Sequence, residues 1–149
     1  MTVGLGSNRV WLAGGGNNIP SFEVFTSPNW REVDGWIRFN QPLYVFGSMI
    51  EGIELWFEKG VVVKSKASKN HKLLRQIIET TGGNHLGEVS LTDKRLSRIT
   101  KFMADTLYDE NTGGEFGNTH MALGASFHEC YKGPAPKNAA AWDKLGYNE

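Results

Sequence analysis

The chain has 149 residues, 16 basic and 16 acidic, with a formal net charge of zero. This length suits one domain with one core, a hydrophobic content of 40% excludes disorder, and balanced charge argues against a nucleic-acid surface. The lone Cys130 permits no internal disulfide and fits a reducing, cytoplasmic setting; no apolar run reaches the roughly 18–20 residues of a membrane span, and no signal-peptide pattern opens the chain.

Residues 3–13 read as a first strand around Val10–Ala13, ended by a Gly14–Gly16 turn. Ile19–Ser27 is a short apolar segment carrying Glu23 and closed by Pro28. Gly35–Phe39 and Leu43–Phe46 read as strands around Pro42. Ile53–Glu58, the Lys59-Gly60 pair and Val61–Ala67 give the best hairpin signal. The period then changes: Ser68 or Asn70 caps a predicted helix carrying Leu73, Leu74, Ile77 and Ile78, stopped by Gly82-Gly83. The basic residues Lys64, Lys66, Lys69 and Lys72 read as a solvated strand end and helix face. His85–Leu91 reads as a strand, and Ser97–Leu107 has Ile99, Met103 and Leu107 at helical spacing. Asp109–Thr119 reads as a loop, His120–Tyr131 as a helix, and Ala139–Trp142 as a short terminal helix. The class expected is α+β, a mostly antiparallel sheet with a central hairpin followed by two or three helices.

Three places hold polar groups in awkward settings. Glu23 lies among Phe22, Val24 and Phe25, where burial is costly without a cation or donors, although strand alternation also allows it to face water. Glu88 follows Gly87, which permits close backbone approach to a ligand and equally marks a bulge. The run from Asp109 to His120 combines acids, glycines and a histidine, as a metal loop does and as a solvated surface loop does. It lacks the acid spacing of a calcium EF-hand. Taken alone, these signals support a soluble α+β domain with an acidic metal site as one reading. Trp11, Trp30, Trp36 and Trp56 read as core or strand-face packing rather than as a ligand-binding aromatic surface.

In order along the chain, five segments resemble the motifs of the M29 family of metallopeptidases. Asn18–Pro28 resembles N-x-P-x-x-E-V-F-T-x-P, and Ile50-Glu51-Gly52 resembles I-E-G. Leu86–Val89 resembles L-G-E-V, Thr106–Asn111 resembles T-L-[FY]-D-E-N, and His120–Gly124 resembles H-x-A-[LI]-G. The resemblance covers about residues 15–131. It implies an aminopeptidase that removes N-terminal residues from peptide substrates with two divalent ions, zinc, cobalt or magnesium. It places Glu23, Glu88 and His120 at metal-ligand positions, with Glu88 bridging the ions, and Glu110 at a ligand or nearby proton acceptor. Glu115, in the glycine-rich stretch after that motif, is a competing loop ligand.

The same comparison implies departures. The family's H-x-D motif, which completes the second ion's ligands, has no counterpart here, since His71, His85 and His128 lie in other contexts. A tyrosine expected seven residues after the ligand histidine is Phe127, with Tyr131 four residues beyond it. The expectation is therefore a single domain spanning 1–149, a metal-binding piece of a larger aminopeptidase. It would be weakly active or inactive alone, without nucleic-acid or membrane partners, and would form a homodimer through uncovered apolar surface. The alternative expectation is a non-catalytic, self-associating short form.

Overall fold

The computed structural model describes residues 1–14 and 21–149. The predicted turn glycines Gly15 and Gly16 and the start of the Ile19–Ser27 segment lie outside the described residues. From the N-terminus the elements are β1 (Thr2–Val3), β2 (Leu12–Ala13), β3 (Glu23–Thr26), β4 (Val33–Arg38), β5 (Leu43–Val45), β6 (Ser48–Ile50), β7 (Glu54–Glu58), β8 (Val61–Lys66), α1 (His71–Ile78), β9 (Leu86–Thr92), α2 (Thr106–Glu110), β10 (Asn118–Leu123) and α3 (Ala139–Lys144). Short 3-10 turns occupy Trp30–Glu32 and His128–Cys130. The strands form two four-stranded antiparallel sheets, ordered β1-β4-β7-β8 and β10-β9-β3-β2, plus the hairpin β5-β6. This is the α+β class expected from the sequence.

The hairpin β7–β8 forms half of the first sheet. Lys59 and Gly60 both have positive φ, 49° and 82°, which suits a two-residue turn whose twist matches the strands. Asp34 holds this turn by accepting from the Lys59 amide at 2.7 Å. On the outer face Trp36 lies opposite Trp56, and the Lys64 ammonium sits 4.5 Å above the Trp56 ring. The inner face brings Val33, Leu55 and Phe57 into a core with Ile50, Ile53, Leu74 of α1, Leu86 and Val89. Each such side chain contributes roughly 1.5–3 kcal/mol by leaving water.

The second sheet shares that core through one face of β9, with Met121 and Leu123 of β10 packed beside it. Val89 turns inward, and its neighbours Glu88 and Ser90 turn to the opposite face. The pairing slips between Ala122 and Leu123, with Ala122 opposite Glu88 and Leu123 opposite Leu86. Gly87 is thus the extra residue of a bulge, which lets Leu86 join the core although Glu88 does not. A Cβ at Gly87 would lie 2.3 Å from the carbonyl oxygens of Gly124 and Ala125, so only glycine fits.

Several local expectations are corrected. Residues 3–13 form β1 and β2 separated by an irregular stretch in which Gly6 and Asn8 have positive φ. The β5–β6 hairpin, turned at Phe46-Gly47, was not read from the sequence, although both turn residues have positive φ. Ser97–Leu107 is not a helix: α2 begins only at Thr106, because Asp105 caps it by accepting from the Leu107 amide. The Asp109 carboxylate then accepts from the Met103 and Asp105 amides, holding the preceding stretch in a local turn. The supposed loop Asp109–Thr119 contains the end of α2 and the start of β10. His120–Tyr131 is not a helix either: its first residues are β10, paired with β9, and Gly124 ends the strand at φ 124°. Pairing along a buried neighbouring strand outweighs the helix preference of Met, Ala and Leu.

Candidate metal centre

Three strands position the site. In β9, Glu88, Ser90 and Thr92 alternate onto one face. Across the antiparallel pairs, Glu23 of β3 lies opposite Thr92, and His120 of β10 lies opposite Ser90. Directly opposed residues share a face, so Glu23, Glu88 and His120 rise from three adjacent strands toward one another. Their ligand-capable atoms all lie within 4.8 Å. His120 Nε2 is 3.3 Å from Glu23 Oε2 and 3.7 Å from Glu88 Oε1. The side chains are almost withdrawn from water, with exposures of 3% for Glu23, 13% for Glu88 and 15% for His120.

A ring of neutral groups fixes this trio. The Ser90 hydroxyl donates to Glu23 Oε2 at 2.6 Å. His120 Nδ1 lies 3.1 Å from the Glu110 carbonyl oxygen. A proton on Nδ1 donating to that carbonyl leaves the Nε2 lone pair directed at the carboxylates, as in histidines that ligate metals. The Asn118 side chain donates to the same carbonyl at 2.5 Å. Asn111, fully buried, accepts from the Phe22 amide at 2.9 Å and donates to the Leu107 carbonyl, tying the end of α2 to the start of β3. The D-E-N stretch thereby acts on the site through its backbone and its asparagine as well as through the charge of Glu110.

Burial of the His120 imidazole works to lower its pKa, but the hydrogen bond and charge of Glu88, with the charges of Glu110 and Glu23, outweigh it and leave the pKa raised above 6.5. A proton on Nε2 is one way to neutralise part of the carboxylate charge; a divalent cation is the other. The donor set of two carboxylates and one imidazole suits a divalent ion such as zinc or cobalt. Two buried hydroxyls, Ser21 Oγ just before β3 and Thr92 Oγ1 on β9, have no hydrogen-bond partner among the described residues, and Thr92 lies opposite Glu23. Buried hydroxyls without partners beside converging acids mark a space suited to a polar guest.

Of the four sequence-predicted metal residues, Glu23, Glu88 and His120 come together. Glu110 adjoins them through its carbonyl and its charge rather than as a fourth converging ligand atom. Glu115 is exposed, and its carbonyl accepts from Lys94 at 2.7 Å. Phe127 rests edge-on against Phe25 with ring centroids 5.2 Å apart, so the site face carries a phenyl edge there and no phenol. Tyr131 packs against Trp142 and Tyr147. Cys130 is fully buried, and burial pushes its thiol pKa up, as befits an inert core thiol. The sequence reading missed Ser90, Asn111 and Asn118. The signal was present as polar alternation, Glu88-x-Ser90-x-Thr92 and Asn118-x-His120, but the second pattern was obscured by reading His120 as a helix start.

Comparison with known proteins identifies the family and the fold. The profile of the family described as thermophilic metalloprotease (M29) matches residues 1–149. The chain is 34% identical over 161 aligned residues to aminopeptidase T of Thermus thermophilus, covering 100% of this chain and 38% of the relative. It is 34% identical to aminopeptidase AmpS of Bacillus subtilis, with the same coverages. The solved structure of wild-type AmpT from Thermus thermophilus superposes with a TM-score of 0.82 at 33% identity, over 99% of this chain and 38% of that one. The chain thus spans a little over a third of the length of these relatives, and across that span it belongs to the M29 family of metalloproteases.

Proposed function

We propose that Glu23, Glu88 and His120 hold a divalent metal ion and that the protein is an aminopeptidase, removing N-terminal residues from peptides. The observation that carries this reading is the convergence of two near-buried carboxylates on an imidazole whose other nitrogen faces a backbone carbonyl. Relatives bearing the name aminopeptidase support the reaction class. A bound divalent ion of this kind supplies Lewis-acid polarisation of a peptide carbonyl and lowers the pKa of water toward about 7.

The chain's own groups do the rest. Glu23, the most enclosed ligand, is held by Ser90 and forms the closed side of the site. Glu88, on the more open side, is the carboxylate that would be shared if the full site held two ions. His120 presents one lone pair in a fixed direction. Glu110, close enough for its charge to act on His120, is the residue proposed to accept and return a proton. With three ligand-capable side chains converging among the described residues, we propose that this set holds one ion well and a second poorly, and so supports slow cleavage. Zinc, cobalt and magnesium are the candidate ions.

Hydrolysis of a leucyl chromogenic substrate with added cobalt or zinc tests the reading. The expected result is slow, metal-dependent release that disappears in Glu88→Gln; release that survives chelation and that substitution would refute it. Self-association is a second element of the proposal. Val24, Leu91 and Phe116, the last 85% exposed, line one shallow groove and offer apolar surface for a homodimer. Sedimentation showing a strict monomer would remove it. Among the described residues no helix is long and apolar enough to cross a membrane. A reducing, cytoplasmic setting is proposed from the lone buried Cys130.

A further inference from the structure

We infer that Ser90 is a positioning residue of the metal centre, whose hydroxyl fixes the Glu23 carboxylate in its ligating orientation. The inference rests on the proposed metal site and extends it beyond the ligands themselves. Ser90 occupies the middle of the site floor. It lies directly opposite His120 on one side and Phe25 on the other, two residues along β9 from Glu88 and diagonal to Glu23. It is fully buried, and its hydroxyl donates to Glu23 Oε2 at 2.6 Å.

Three physical consequences follow from that placement. A hydroxyl-to-carboxylate bond of this length falls in the charge-assisted range and holds one carboxylate oxygen in direction. The bonded oxygen is the one that lies 3.3 Å from His120 Nε2, so the hydroxyl acts on the ligand atom nearest the imidazole. The small side chain also leaves room above β9 for three longer side chains to converge. A larger residue at this central position would enter the space between Glu23, Glu88 and His120. Ser90 therefore does for Glu23 what the Glu110 carbonyl does for His120. Losing such an outer partner lowers metal affinity by about 10–100-fold.

The test is cobalt(II) titration of the purified chain, followed by visible absorption against a competing chelator, with thermal unfolding of each protein measured free of metal. Ser90→Ala is expected to bind cobalt about 10–100-fold more weakly than wild type, with an altered absorption band and a metal-free unfolding midpoint close to wild type. Ser90→Cys, which keeps a weak donor of similar size, is expected to fall between the two. Equal affinity in wild type and Ser90→Ala overturns the inference while leaving the metal centre standing. Equal losses in both variants, matched by large drops in metal-free midpoint, also overturn it, because the hydroxyl would then serve the fold alone. A wild-type chain that takes up no cobalt removes the metal centre itself, and the role of Ser90 with it.

Discussion

The two sheets bury opposite kinds of chemistry. The sheet β1-β4-β7-β8 turns Val33, Leu55 and Phe57 into an apolar core and sends its charges outward. The sheet β10-β9-β3-β2 lends Val89 to that core, but its other face buries Glu23, Ser90 and Thr92 beside His120. The first face contributes stability whatever is dissolved around it. The second withdraws carboxylates from water and recovers that cost only through donors and a cation. One sheet is thus a scaffold, and the far face of the other is a site it supports.

The largest expected effect tests the scaffold. Phe57 is 2% exposed, and Phe57→Ala should cost about 3–5 kcal/mol. Denaturant unfolding should give the same loss with and without zinc; a loss that depends on metal would merge the two regions into one. The next tests the site. His120→Ala should weaken zinc binding by more than the roughly 100-fold expected for an outer partner, while the metal-free protein keeps its unfolding midpoint within a few degrees. Calorimetric titration and thermal unfolding together check this, and a collapse of the metal-free fold would show that His120 belongs to the scaffold.

A smaller effect follows from pH. The His120 pKa in the folded protein is raised above 6.5. For a raised pKa, the metal-free protein holds the full contribution of protonated His120 below the unfolded value. It loses that contribution as pH rises through the folded one. Metal-free stability should therefore fall across the window just above pH 6.5, zinc affinity should rise across it, and His120→Ala should flatten both profiles. The smallest effect is on the surface. Arg75 and Glu79 pair at 2.7 Å on the exposed side of α1, and Arg75→Ala should cost no more than about 0.5 kcal/mol and leave metal binding unchanged.

The apolar sheet was the more legible of the two. Lys59-Gly60 between alternating strands specifies a hairpin locally, and Leu73, Leu74, Ile77 and Ile78 specify α1 by their spacing. The tail helix was legible from its alanines, and Asn138 caps it by accepting from the Ala141 amide. The site was legible only as separate residues. Glu23, Glu88 and His120 are 65 and 32 positions apart in the sequence, and no local pattern brings them together. Motif order assigned them; the pairing of β3, β9 and β10 explains them. The reading failed on β10 because Met121, Ala122 and Leu123 suit a helix, and only the β9 partner makes them a strand. Ser97–Leu107 failed because Asp105 and Asp109 bond to nearby amides, a competition that apolar spacing does not reveal.

X-ray absorption at the zinc edge of the zinc-loaded chain tests the central claim most directly. The account predicts a nitrogen and oxygen shell at about 2.0–2.2 Å, with the signature of a single imidazole that vanishes in His120→Ala and with no sulfur scatterer. A sulfur shell, a second imidazole, or an imidazole signal that survives His120→Ala would place the metal elsewhere and contradict it.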